Sequence, residues 1–163
     1  MVCVYMILER TELELAAVGI SIAAGCVPCT KFHINEAERS GASSPDILLA
    51  IRNGIGVANT ALFDLQRQFD PQTDSSPEDE TNIGLSRSAI LTGIGSSVAR
   101  NSVKQLKIMI ELARNNQIQD REIMEIIGLA KRIKEKAASH LVRVSDKLDA
   151  DPGIAQAAAQ LCT

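Results

Sequence analysis

Two cysteines separated by two residues, Cys26-Val27-Pro28-Cys29, are followed one helical turn later by His33. Side chains three and four apart on a helix share a face, so the two sulfurs can pass between dithiol and disulfide with little backbone motion, and His33 lies beside Cys29. A thiol attacks only as thiolate, and an unperturbed cysteine, with a pKa of about 8.5, is mostly protonated at neutral pH. In the first turn of a helix, unpaired amides and the helix dipole favour negative charge and raise the thiolate population of Cys29. An imidazole four residues on can take the thiol proton or return one to a leaving group. The pattern points to thiol redox chemistry.

The flanking sequence must hold these groups together. Thr11-Glu12-Leu13-Glu14 fits a capping box that starts a helix over residues 11–24. Gly25 interrupts it, and Pro28 sits where the first turn of a second helix, over 27–40, tolerates a residue without an N–H; Gly41 ends that helix. Ser44-Pro45-Asp46 opens a third helix that runs through residue 69. A reversal at Ala24-Gly25 turns the first two helices into an antiparallel hairpin and sets Glu14 level with His33. A carboxylate there can orient the imidazole that activates the thiol. The capping box alone also accounts for Glu14.

Residues 70–82 are rich in proline, serine and acid, lack apolar periodicity and read as an exposed linker. A shift of 76 positions lays the second half over the first, pairing Leu15 with Leu91, Gly19 with Gly95, Ser21 with Ser97 and Ile51 with Ile127. The sequence thus reads as an internal duplication, with repeat 1 over 11–69 and repeat 2 over 83–149. At that shift Cys26, Cys29, His33 and Glu14 face Ser102, Gln105, Met109 and Ile90. The second copy keeps the apolar spacing and loses every ionisable member. Ile123, Ile126, Ile127, Ala130, Ile133, Ala137, Leu141 and Val144 follow a period close to 3.6 and form the inner stripe of a helix over 120–149, with His140 on its solvated, charged face. Cys3 and Cys162, near the termini, read as free thiols without a role, and the tail 150–163 carries no legible function.

A length of 163 residues suits one domain, 1–163. Apolar residues make up 45% and aromatic residues 2%, so the core must be built from Ala, Ile, Leu and Val, a composition suited to close helix packing and an all-α fold. A net charge of −3 without a basic cluster argues against nucleic acid as a partner. Four unevenly placed cysteines do not make a secreted disulfide scaffold, and a reducing cytoplasm is the expected location. Ala23-Ala24-Gly25-Cys26 loosely resembles a lipoprotein cleavage box, but Glu9, Glu12 and Glu14 stand where a signal needs positive charge. No apolar run reaches the roughly 18 residues of a membrane span, so no membrane partner is expected.

Glu14, then Cys26-x-x-Cys29, then His33, with Leu15-Ala16-Ala17-Val18 following the glutamate, resembles the alkylhydroperoxidase D and carboxymuconolactone decarboxylase superfamily over residues 11–57. The resemblance implies a helical bundle in which Cys29 attacks, Cys26 resolves, and His33 with Glu14 relays the proton. It implies a hydroperoxide or protein disulfide as substrate, an external dithiol reductant, and a homo-oligomer, trimer or hexamer. The cysteine pair favours the peroxidase-like branch over lactone decarboxylases, which generally lack it. Two departures stand out. Peroxidase members often carry a second histidine near the pair, and Val27, Pro28 and Thr30 offer none, which implies a shorter relay; the helical element that precedes the motif in many relatives is expected to be missing or reduced to residues 1–9.

No flavin or nucleotide motif is visible, and no cofactor is expected. A zinc site built on Cys26, Cys29 and His33 lacks the second ligand pair of a structural tetrahedral centre, and His140, Cys3 or Cys162 could complete it only by folding back; no metal is expected. Two other readings stay open: acid-base chemistry on a lactone through His33 and Glu14 with idle thiols, and a non-catalytic, redox-responsive helical assembly protein.

Overall fold

The computed structural model describes residues 7–70 and 86–149. Within them the chain forms six helices and no strand: α1 Arg10–Ala23, α2 Val27–Arg39, α3 Ser44–Phe69, α4 Arg87–Ala99, α5 Val103–Asn115 and α6 Asp120–Asp149. The all-α expectation is met. Most of the predicted linker, all of the tail, and Cys3 and Cys162 lie outside the described residues.

The start of α1 differs from the expected capping box. Glu9, in an extended conformation, is the N-cap residue and offers no side-chain cap. Thr11 is already inside the helix, and its hydroxyl donates to the Ser40 carbonyl at the far end of α2. Glu14 therefore has no cap to close, and its carboxylate is free to reach α2. The end of α1 does follow the sequence. Ala24 closes the helix and Gly25 takes φ +68°, a left-handed conformation that glycine adopts without a Cβ clash. The Gly25 N–H donates to the Ile22 carbonyl and the Cys26 N–H to the Ser21 carbonyl, so the last carbonyls of α1 are satisfied and the chain reverses within two residues. That reversal delivers Cys26 directly as the N-cap of α2. α3 begins one residue earlier in its capping logic than expected: Ser43, not Ser44, caps it and forms a reciprocal box with Asp46.

α4 lies at the centre, because its residues are apolar or small all round and nearly all are buried. It packs on α1, α3, α5 and α6, and α1 in turn packs on α2, α3 and α6. The main core joins Ala16, Ala17 and Ile20 of α1, Leu91 and Ile94 of α4, and Ile126, Ala130 and Ile133 of α6; Cys26 and Cys29 belong to it. A smaller core under α3 joins Leu15, Val18, Ala37, Ile47 and Ala50. α1 and α3 approach closely at Gly19 and Gly54, where a methyl group on Gly54 would run into the Gly19 backbone.

The helix bounds repeat at the sequence shift of 76. α5 matches α2 end for end, α4 ends where α1 does, and α6 starts where α3 does. The two left-handed residues of the first half, Gly25 and Gly41, face Asn101 and Gln117, which are left-handed as well.

Candidate functional site

The reversal after α1 fixes the cysteine pair. Cys26 caps α2, and its Sγ accepts the Cys29 N–H at 3.2 Å. Cys29 occupies the first turn, and the two are joined as a disulfide with Cα atoms 5.3 Å apart. Thr30 donates its hydroxyl to the Cys26 carbonyl at 3.0 Å and tightens the same turn. Both sulfur-bearing residues are buried, with 5% and 6% exposure.

One turn further, His33 meets Glu14 across the α1–α2 hairpin, with Nδ1 2.8 Å from the carboxylate Oε2. Both side chains are mostly buried, at 14% exposure each, so the pair is partly screened from water. When the neutral ring donates its Nδ1 proton to Glu14, the lone pair stays on Nε2. The edge of Phe32 stands against the His33 ring, with centroids 5.1 Å apart. The predicted geometry of Glu14, Cys26, Cys29 and His33 is thus assembled on one hairpin. The one contact that differs is at the sulfur: among the described residues the hydrogen bonds of His33 run to Glu14 and not to Cys29.

The imidazole at the sulfurs belongs to α6. His140 Nδ1 lies 3.4 Å from Cys26 Sγ and 3.8 Å from Cys29 Sγ. His140 was expected on a solvated face, with Leu141 and Val144 continuing the inner stripe; instead Leu141 is 72% exposed and Val144 54%. The reason is the drift of a 3.6-residue period. After Ile126, Ala130, Ile133 and Ala137 the inward line steps by three to His140 rather than by four to Leu141. The signal that could have found His140 was therefore present in the spacing of α6, but an aliphatic neighbour masked it.

Between α2 and α6 runs a groove of about 640 Å³, walled by Pro28, Cys29, Phe32 and His33 on one side and by Arg132, Ile133, Lys136 and His140 on the other. Cys29 lines it and Cys26 does not. The walls are apolar around one sulfur, with two histidines and two cations at the rim.

Residues 7–63 match the family model of the carboxymuconolactone decarboxylase family, so the resemblance carried by Glu14, Cys26, Cys29 and His33 is borne out over that stretch. The match spans α1, α2 and most of α3, and His140 lies beyond it. No curated protein and no solved structure matches the chain.

Proposed function

We propose that the chain is a thiol-dependent oxidoreductase of the alkylhydroperoxidase D type, which reduces hydroperoxides or partner disulfides through Cys26 and Cys29. The observation that supports it most is that Cys29 alone of the pair lines the groove, within a turn of one imidazole and 3.8 Å from another.

In the reduced enzyme the Cys29 thiolate attacks the outer oxygen of a hydroperoxide. The O–O bond breaks, Cys29 becomes a sulfenic acid, and the departing alkoxide takes a proton from the imidazole system of the groove. His33 is the relay residue and Glu14 orients it and steadies its positive charge. The Cys26 thiol then gives up its proton and attacks the Cys29 sulfur, the sulfenic hydroxyl leaves with that proton as water, and the disulfide closes. His140 fills the place of the second histidine that the cysteine motif lacks. With a disulfide substrate the first step gives a mixed disulfide in place of the sulfenic acid. An external dithiol resets the pair, which fits a reducing cytoplasm. Exposed apolar side chains along α3, among them Leu48, Leu62, Leu65 and Phe69, support assembly into a homo-oligomer, trimer or hexamer. No helix among the described residues is long and apolar enough to cross a membrane.

Stopped-flow mixing of the reduced protein with an alkyl hydroperoxide tests the reading. Cys29→Ser should lower the rate of peroxide consumption by about 10³-fold or more, since the nucleophile itself is removed; an unchanged rate overturns the mechanism. A second reading, acid-base chemistry on a lactone, is favoured by the His33–Glu14 pair, which is complete without the thiols. Turnover of a lactone substrate that survives replacement of both cysteines by serine would select it.

A further inference from the structure

We propose that the reduced cysteine pair and His140 form a metal site for one divalent cation of the zinc type, and that oxidation of the pair dismantles it. The ligand atoms, Cys26 Sγ, Cys29 Sγ and His140 Nδ1, all lie within 4.8 Å of one another, and the two cysteines are buried. They come from two helices held by the main core, so the set is built in advance of any ligand. The distances fit. Tetrahedral zinc with Zn–S near 2.3 Å and Zn–N near 2.0 Å requires sulfur–nitrogen separations of about 3.5 Å and a sulfur–sulfur separation of about 3.8 Å. The observed sulfur–nitrogen separations are 3.4 and 3.8 Å. Two edges of the tetrahedron are thus in place, and the third opens when the S–S bond is reduced.

Two thiolates and an imidazole are the donor set that zinc and its cobalt surrogate prefer over harder cations. Two thiolates also cancel the charge of a divalent ion, which a buried position demands. Cys29 and His140 line the groove, so the fourth position opens towards it and can take water or a substrate atom. His33 is not part of the set: the donor atoms that lie together are those of Cys26, Cys29 and His140.

The chemistry balances in both directions. Binding to the dithiol releases two thiol protons and forms two metal–sulfur bonds. A hydroperoxide with two protons then converts the metal dithiolate into the disulfide, an alcohol, water and the free cation; the two sulfurs supply both electrons. Metal and disulfide exclude one another at the same sulfurs, so the metal guards the dithiol and peroxide ejects the metal.

The test uses the full chain carrying Cys3→Ser and Cys162→Ser, reduced and titrated anaerobically with Co²⁺ and then Zn²⁺. The expected result is one Co²⁺ per chain with a sulfur-to-cobalt charge-transfer band in the near ultraviolet, displaced by Zn²⁺ and absent from the disulfide form. His140→Gln should weaken binding by more than the roughly 10–100-fold that loss of an outer partner costs, while His33→Gln leaves the band in place. Circular dichroism of each variant separates ligand loss from misfolding. The proposal fails if the reduced chain binds no Co²⁺, if the disulfide form binds it equally, or if His33→Gln rather than His140→Gln removes the band. None of these outcomes depends on peroxide turnover, so the site stands or falls apart from the proposed enzymatic reading.

Discussion

α2 and α5 open in the same way and end in different chemistry. At the head of α2 the Cys26 sulfur accepts the Cys29 N–H at 3.2 Å; at the head of α5 the Ser102 hydroxyl accepts the Gln105 N–H at 3.4 Å. Each helix is met by a long helix from the other half, at the same step along it. α6 brings His140 to Cys29, and α3 brings Asp64 to Gln105, whose amide donates to the carboxylate at 2.7 Å, with Lys104 paired to the same side chain. Deeper in, His33 and Glu14 are replaced by Met109 and Ile90, both buried. The frame therefore stands equally well with a plug of neutral and charged hydrogen bonds as with thiols and imidazoles. Packing does not require the ionisable set in the first half, and its presence there asks for a chemical reason.

The sharpest way to break this comparison is to move the thiols. Ser102→Cys with Gln105→Cys, on a background of Cys26→Ser and Cys29→Ser, should yield a second-half disulfide, because the caps are alike. Without an imidazole its dithiol should react with hydroperoxide about 10²-fold or more slowly than the native pair, as expected when acid-base assistance is removed. Equal rates in stopped-flow traces would show that a helix head alone makes the chemistry.

Packing offers a smaller effect. Gly54→Ala pushes a methyl group against the Gly19 backbone, where no flexible side chain can yield, and should destabilise the protein by about 1–3 kcal/mol in urea unfolding. The equivalent position in the second half is Ala130, already occupied by a methyl group and fully buried.

Acid acts on both halves, and more gently. Burial pushes Glu122 up, but the Gln119 N–H at 2.8 Å and Arg87 at 2.6 Å outweigh it and hold the carboxyl below its ordinary value near 4.5. Asp64 follows the same pattern: burial raises it, and Lys104 and Gln105 together bring it below 3.8. A carboxyl depressed on folding stabilises the fold fully above its unfolded pKa and loses that contribution as pH falls through the lowered one. Melting temperature should therefore decline below about pH 4.5, and Glu122→Gln, less stable at neutral pH, should show a shallower decline. Parallel curves for the two proteins would remove the carboxylate from the explanation.

The smallest effect concerns the turns. Gln117 holds φ +60° where its counterpart is Gly41. Gln117→Gly relieves a left-handed side chain at the cost of a more mobile unfolded chain, and should raise stability by less than about 1 kcal/mol, read from denaturant midpoints. A loss would mean that the glutamine side chain contributes more than the strain.

Much of this was legible in the residues. Pro28, Gly25 and Gly41 placed the α1–α2 hairpin because their backbone restrictions act locally, and the hairpin was enough to bring Glu14 to His33. The helix bounds of the structure recur at the shift of 76 read from the residues. Two things were hidden. The threonine of the supposed capping box was not the helix start, since Glu9 extends the helix by a turn fragment that no side-chain signal marks. His140 escaped because Leu141 masked the step of three from Ala137 in the spacing of α6, and because its partners, Cys26 and Cys29, are long-range ones that α6 alone does not reveal.

His140 follows Cys26 by 114 residues. During synthesis from the N-terminus the two thiols emerge early, with their hairpin and the His33–Glu14 pair, while the groove wall and its imidazole come with the last of the six described helices. A partly made chain thus carries the thiols without the groove wall and the imidazole that α6 supplies. Reactivity of these sulfurs towards a bulky thiol reagent is in that sense a gauge of whether the whole chain has folded.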